Sequence, residues 1–253
     1  MNDSPSRAVE GTGRPTAHRF SAPERDAVYR AIFHRRDMRE GFTGEAVDHS
    51  TLARLLLAAH HAPSVGFMQP WDFVLISDHD TREALWRVVD KERRSAAVVF
   101  EGQQAEQFPS IKIEALREAS VVICVTVDPA RRGPHVLGRN SDEATDLYSA
   151  AAAIQNLWLA ARAEGLGMGW VSFYKKPDVR LVLGLPPHIN PIGLLCLGPV
   201  AAFPEQPRLQ QVGWGERIPL TDLVHFEHWD GRTHDPNGPW GGFPEALEAA
   251  EPA

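Results

Sequence analysis

The chain has 253 residues, of which 43% are hydrophobic and 23% are charged, and its formal net charge is -7 at pH 7. This hydrophobic content is sufficient for a full core, and we expect one large domain because no linker interrupts the middle of the sequence. The negative charge argues against a nucleic-acid partner, since nucleic-acid-binding proteins use Lys and Arg to neutralise phosphates. No run approaches the roughly 18 apolar residues of a membrane span, so we expect no membrane partner.

Residues 1–20 are rich in Ser, Pro, Gly, Thr and charge, and they lack the apolar core of a signal peptide. We expect a disordered N-terminal arm at 1–20, a folded domain at 21–230, a C-terminal tail at 231–253 and a cytoplasmic location. Cys124 and Cys196 lie in apolar runs, which predicts small buried side chains in a reducing compartment. Nothing in their spacing supports a disulfide.

The first predicted helix begins after Ser21, with Pro23 and Glu24 in its first turn. It ends at a charged cluster, residues 35–39, with the sequence Arg-Arg-Asp-Met-Arg. Guanidinium groups match phosphate oxygens in geometry and charge. The carboxylate of Asp37 would repel a phosphate, so it is either an internal partner of the arginines or a group directed at the ligand. The alternative interpretation of the cluster is a solvated charge run at a helix end.

A second predicted helix, capped by Asp48 or Ser50, ends at Pro63. The loop that follows, residues 62–71, carries three large apolar side chains: Phe67, Met68 and Trp71. Their exposure would be costly, so we expect them to cover a ligand, a partner subunit or the core.

The rest of the domain alternates apolar runs with helical patterns. Strands are predicted at 72–78, 120–128, 169–174 and 191–200, the second being central because it is apolar nearly throughout. Helices are predicted at 81–99, 145–164 and 177–183. Residues 101–118 are polar, with Pro109 in their middle, and form a candidate lid.

Several familiar sites are not supported. The sequence Gly-Leu-Gly-Met-Gly-Trp at 165–170 lies between a helix and the following strand, which is the reverse of a dinucleotide fingerprint. Its Gly165 is predicted to end the helix, and the three alternating glycines suggest close approach of a flat ligand. The 11 histidines form no metal motif, so no metal is expected. Ser172 lies in no Gly-x-Ser-x-Gly elbow, which leaves acyl transfer unsupported.

Four motifs, taken in order, resemble the FMN-dependent nitroreductase-like family over residues 21–223. They are the arginine motif at 35–39, the loop at 62–71, Gln-Asn-Leu at 155–157 and Gly-Leu-Gly-Met-Gly-Trp-Val-Ser at 165–172. Four marks resemble its BluB branch, the 5,6-dimethylbenzimidazole synthases. Asp37 stands where ordinary nitroreductases usually have a small neutral residue. The other three are Pro-Ser-Val-Gly-Phe-Met-Gln-Pro-Trp at 63–71, Asp-Leu-Tyr at 146–148 and Gly-Trp-Val-Ser at 169–172.

The resemblance implies an α+β, nitroreductase-like three-layer fold, with a central mixed sheet flanked by helices, in a domain-swapped homodimer. It also implies the residues that contact the flavin: Arg35, Arg36, Asp37, Met38, Arg39, Ser64, Met68, Gln69, Gly169, Ser172 and Arg217. In the family, the arginines of this set surround the ribityl phosphate, and the loop at Ser64 reaches the flavin across the dimer interface.

The implied activity is oxygen-dependent fragmentation of reduced FMN (FMNH2) to 5,6-dimethylbenzimidazole, the lower ligand of cobalamin (vitamin B12), with release of erythrose 4-phosphate. FMNH2 is then a substrate, O2 is the co-substrate, and a flavin reductase supplies FMNH2. Asp37 is the catalytic base near the ribityl chain, and Ser172 forms a hydrogen bond at the ring. The alternatives are an NAD(P)H-dependent FMN nitroreductase and a non-catalytic flavin-binding protein in which Asp37 only pairs with an arginine.

Overall fold

The computed structural model describes residues 19–231, 235 and 237–250. Residues 1–18 of the predicted N-terminal arm lie outside this description. The chain divides into two compact units. The first comprises Met1–Arg93 and Ile113–Phe203, and the second comprises Arg94–Lys112 and Pro204–Ala253.

The first unit is built on a four-stranded sheet. Its strands are β1 (Trp71–Ile76), β2 (Val121–Val127), β3 (Leu166–Val171) and β4 (Asn190–Pro199), in the spatial order β1-β2-β4-β3. All seven residues of β2 are buried, which confirms the prediction of a central strand.

The predicted sheet was mixed, whereas these four strands pair only in the antiparallel sense. Parallel pairing in the described part of the chain is confined to an isolated bridge between Asp37 and Met168. The sequence does not distinguish the two cases, because a strand covered on both faces is uniformly apolar in either kind of sheet.

Eight α-helices lie in the described residues: α1 (Ala22–His34), α2 (His49–His60), α3 (His79–Ala97), α4 (Gly102–Gln107), α5 (Thr145–Ala163), α6 (Lys176–Leu183), α7 (Arg208–Gln211) and α8 (Phe243–Ala250). The predicted helices are confirmed within a few residues at each end. Helix α8 falls within the stretch assigned to a C-terminal tail. None of the helices described here is both long and apolar enough to cross a bilayer.

The main core forms where α2 and α5 pack against the sheet. Met68 and Trp71 of the apolar loop belong to the buried core, with 0% and 3% exposure, but Phe67 is 71% exposed. The core therefore explains two of the three side chains that the sequence singles out.

The second unit contains a cluster of three aromatic rings: Phe100, Phe108 and Trp214. The Phe100 ring lies 4.7 Å from Phe108 and 5.1 Å from Trp214, centroid to centroid. Gln107 Nε2 also donates to the Val212 carbonyl oxygen at 3.1 Å. Part of the candidate lid is thus packed against the chain that follows residue 203.

Candidate active site

The arginine motif is placed by the end of α1. This helix begins at a capping box in which Glu24 Oε2 accepts from both the backbone nitrogen and the hydroxyl of Ser21, at 2.8 and 2.6 Å. At the other end Arg35 is extended (φ -67°, ψ 136°), so the chain leaves the helix there. The next residues run beside β3, and Met38 N donates to the Met168 carbonyl oxygen at 2.9 Å.

Two glycines of β3 allow this close approach. A Cβ atom at Gly169 would collide with the Met38 carbonyl oxygen, and one at Gly167 would collide with the Val200 side chain. We expected the alternating glycines to admit a flat ligand, but at these two positions they admit other parts of the chain. Gly165 has a positive φ of 77° just after α5, as expected of a helix terminator.

Asp37 lies in a hydrogen-bonded cluster with Arg39 and Trp170. Its Oδ1 accepts from Trp170 N at 3.1 Å. Its Oδ2 accepts from Arg39 Nε at 3.0 Å and from Arg39 Nη2 at 2.6 Å. The Asp37 side chain is 44% exposed and that of Arg39 is 17% exposed. The carboxylate is therefore held on one side by the protein and open to a ligand on the other.

Arg35 and Arg36 are arranged differently from Arg39. The Arg35 guanidinium lies over the Trp158 ring, 4.6 Å from its centroid. Arg36 Nη1 donates to the carbonyl oxygens of Phe33 and Arg35, at 2.8 and 2.9 Å. Two cations therefore lie where α1 ends, and the fork of donors on a guanidinium matches phosphate oxygens in geometry and charge. We conclude that this donor set fits the phosphate of FMN.

The loop after α2 has unusual backbone geometry. Three of its residues have positive φ: Gly66 at 48°, Phe67 at 53° and Gln69 at 51°. Such conformations are costly for residues other than glycine and persist only when neighbouring contacts impose them. Here Ser64 Oγ accepts from Gln69 N at 3.1 Å, and Val65 N donates to Ser149 Oγ at 3.0 Å.

Two predicted site residues lie apart from these contacts. Ser172 is exposed and directly follows β3, two residues beyond the backbone nitrogen that Asp37 binds. Arg217 is exposed and belongs to the second unit. Its assignment to the phosphate stays a prediction.

Sequence reasoning did not single out the pairing between Arg139 and Asp146. Arg139 Nη2 lies 3.2 Å from Asp146 Oδ2, and the Asp146 side chain is only 7% exposed. An acidic residue in the first turn of a helix is ordinarily an exposed charge that interacts favourably with the helix dipole. The Asp-Leu-Tyr motif drew attention to Asp146, but it did not indicate which residue pairs with it.

Both cysteines lie in the sheet, Cys124 in β2 and Cys196 in β4. Both thiols are free and buried, as predicted. Burial raises the pKa of Cys124 and of Cys196 to about 12. Among the residues described, no group of three or more His, Cys, Asp or Glu side chains is placed to hold a metal ion.

Comparison with known proteins identifies the class to which this fold and site belong. Residues 32–199 match the model of the nitroreductase family, and the chain belongs to that family. It is 36% identical over 200 residues to the 5,6-dimethylbenzimidazole synthase of Rhodospirillum rubrum, an alignment that covers 79% of this chain and 94% of the relative.

Two solved structures share the fold. A BluB-like flavoprotein from Clostridium difficile 630 has a TM-score of 0.60 and 19% identity, with 79% of this chain and 99% of that chain covered. An oxidized iodotyrosine deiodinase, bound to FMN and 3-iodo-L-tyrosine, has a TM-score of 0.62 and 21% identity, with 80% and 100% covered. The nitroreductase-like fold predicted from the sequence is therefore confirmed.

Proposed function

We propose that this chain is a 5,6-dimethylbenzimidazole synthase that converts FMNH2 and O2 to 5,6-dimethylbenzimidazole and erythrose 4-phosphate. The observation that carries the proposal is Asp37, an open carboxylate fixed beside β3 in a nitroreductase-family chain. The likeness to the synthase of Rhodospirillum rubrum supports the same assignment.

In this function the phosphate end of the substrate is held by Arg35 and Arg36. Both cations lie at the end of α1, and Asp37 follows them directly in the chain. Phosphate binding at this point therefore brings the ribityl chain of the flavin towards the carboxylate. Bound FMNH2 supplies both the reducing electrons and the carbon atoms of the product.

Asp37 removes a proton from the ribityl chain. Its Oδ2 is occupied by two donors from Arg39, whereas Oδ1 accepts one hydrogen bond in the described structure, from Trp170 N. The second lone pair of Oδ1 is therefore the acceptor for the proton. The exposed Ser172 hydroxyl, at the end of β3, donates a hydrogen bond to the ring.

The protein acts as a domain-swapped homodimer with the flavin at the subunit interface. Helix α1 contains no buried residue in the single chain, although four of its side chains are large and apolar: Val28, Tyr29, Ile32 and Phe33. Phe67 adds a fifth exposed apolar side chain. β1 is an edge strand that can accept a strand from a second subunit.

The same proposal includes a cytoplasmic location and a separate flavin reductase. FMNH2 is consumed in each turnover, so a reductase must supply it continuously. The polar segment at 101–118 acts as the lid, and its Phe108 ring packs against Phe100.

The decisive experiment mixes the purified protein with excess FMNH2 in air. We expect the total flavin, measured after complete reoxidation, to fall by more than one equivalent per chain while 5,6-dimethylbenzimidazole accumulates. Reduction of a nitroaromatic compound by NADPH, with the flavin intact, would identify a nitroreductase instead. Tight flavin binding with neither reaction would identify a non-catalytic flavin-binding protein.

A further inference from the structure

Arg39 differs from the other two arginines of its motif in what its guanidinium contacts. All three of its nitrogens make hydrogen bonds inside the protein. Nε and Nη2 donate to Asp37 Oδ2, Nη2 also donates to the Trp170 carbonyl oxygen at 2.6 Å, and Nη1 donates to the Ile113 carbonyl oxygen at 2.5 Å.

We infer that Arg39 is a positioning residue for Asp37 and does not read the phosphate of the flavin. The inference rests on the proposed function in one respect, namely that Asp37 is the base. The second part of the inference, that Arg39 does not bind the phosphate, depends only on the hydrogen bonds of Arg39.

The contacts fix the direction of the carboxylate. Asp37 Oδ1 accepts from the nitrogen of Trp170, and the carbonyl oxygen of the same residue accepts from Arg39. Asp37, Arg39 and Trp170 therefore form a closed ring of hydrogen bonds on the outer edge of β3. Turning the carboxylate would break its three hydrogen bonds together, so the open lone pair of Oδ1 keeps one direction.

The contacts also keep Arg39 from turning towards a phosphate. Its side chain is 17% exposed, and four of its five N–H groups already donate to two backbone carbonyl groups and a carboxylate. A bidentate phosphate contact would therefore have to displace at least one of these acceptors. Leaving such groups without a donor is unfavourable. Arg36 donates to the carbonyl oxygens of Phe33 and Arg35, where the chain leaves α1, and the proposed function assigns it to the phosphate. Substitution of Arg36 and substitution of Arg39 should therefore have different effects.

The test compares Arg39→Gln, Arg39→Lys and Arg36→Gln with the wild-type chain. Affinities for FMN and for riboflavin, which lacks the phosphate, are measured by fluorescence quenching on the folded fraction. For Arg36→Gln we expect the preference for FMN over riboflavin to fall by about 10-fold or more. For both Arg39 variants we expect this preference to stay within about twofold of the wild-type value, because neither removes a phosphate ligand.

The second readout is the rate of product formation in a single turnover with saturating FMNH2 in air. Arg39→Gln should slow it by about 10- to 100-fold, the scale of general-base catalysis. Arg39→Lys should lose less, because an ammonium group can reach Oδ2 but cannot hold both carbonyl oxygens as well. In an Asp37→Asn background, Arg39→Gln should cause little further slowing, since the base through which it acts is already absent.

A fall in FMN preference in an Arg39 variant that matches Arg36→Gln would overturn the inference, as would a wild-type rate in Arg39→Gln. If Arg39→Gln does not fold, Arg39→Lys decides both points. If the wild-type chain forms no benzimidazole, the proposed function fails, and the FMN preference still judges the role of Arg39.

Discussion

The carbonyl oxygen of Met38 occupies the space that a Cβ atom would need at Gly169. This contact lets Met38 N bond to Met168 and lets Asp37 reach the nitrogen of Trp170. The arginine motif can approach β3 this closely because residue 169 is a glycine. A methyl group added at this position would push the motif and the strand apart.

Gly169→Ala should destabilise the fold by about 1 to 3 kcal/mol, the usual cost of overpacking, because a backbone carbonyl cannot move as a flexible side chain does. Gly215→Ala is the matched control, since a Cβ atom there meets nothing within 4 Å. Urea unfolding of both variants measures the effect. Equal stability of the two would show that the motif moves away from β3 at little cost.

Asp37→Asn should slow product formation by about 100-fold, because an amide cannot accept a proton at neutral pH. The structure adds a complication. An Asn side chain must place its NH2 group against either the two Arg39 donors or Trp170 N, so at least one hydrogen bond is lost and donors face each other.

The Asp37→Asn assay therefore follows flavin affinity together with product formed in one turnover. Slower chemistry with affinity within about threefold of wild type supports the base, on the scale of general-base catalysis. A near-normal rate would remove Asp37 from the mechanism.

Arg36→Ala should weaken FMN binding by about 1.5 to 3 kcal/mol, the scale of a charge-assisted hydrogen bond, and should weaken riboflavin binding far less. Arg30→Ala is the control, because it removes an exposed cation from the same helix. Titration of FMN and riboflavin against both variants distinguishes the loss of a phosphate contact from the general effect of removing a positive charge. Equal losses for FMN and riboflavin in Arg36→Ala would mean that Arg36 only supports the end of α1.

Much of the fold follows from local chemistry. The cap of α1 at Ser21, the cap of α2 at Asp48 and the turn at Gly165 each depend on residues within about one helical turn, so the sequence predicts them. Asp48 illustrates the strength of such a cap. Hydrogen bonds from Ser50 and Thr51 hold the pKa of its carboxyl group well below its usual range.

The internal contacts of the site were beyond this kind of reasoning. Asp37 and Trp170 are 133 residues apart, so nothing near either residue indicates that they meet. The sequence indicated that Asp37 either pairs with an arginine or faces the ligand. In the structure its Oδ2 atom pairs with Arg39. Likewise, Phe67 has a positive φ and an exposed ring whereas the adjacent Met68 is buried, and local composition does not predict this difference.

Replacing Tyr29 and Phe33 with Glu should weaken the homodimer. Their rings stack at 5.9 Å on α1, and both are more than half exposed in the single chain, so the change should spare the folded subunit. Two interface anchors of this size contribute about 2 kcal/mol or more together, which corresponds to about a 30-fold rise in the dissociation constant.

Sedimentation velocity over a range of concentrations measures the dimer equilibrium. Leu181→Glu, which alters another exposed apolar side chain on α6, is the control. An unchanged dimer in the double variant would exclude this face of α1 from the interface. A wild-type monomer that binds FMN tightly would refute a shared site altogether.

Both cysteines should resist alkylation in the native protein. The thiolate is the reactive form, and burial raises the pKa of both thiols to about 12, so at pH 8 they stay protonated as well as covered. Iodoacetamide should therefore modify neither thiol until urea unfolds the chain, after which both react. Modification of either thiol in the folded protein, without urea, would mean that the sheet opens locally around β2 or β4.

The aromatic cluster of the second unit has a consequence for synthesis in the cell. A chain leaves the ribosome N-terminus first, at about 5 to 20 residues per second, so Trp214 follows Phe108 by roughly 5 to 20 seconds. During that interval Phe100 and Phe108 are in the nascent chain without the indole that later packs against them. The segment proposed as the lid completes its own packing only after every strand of the sheet has been translated.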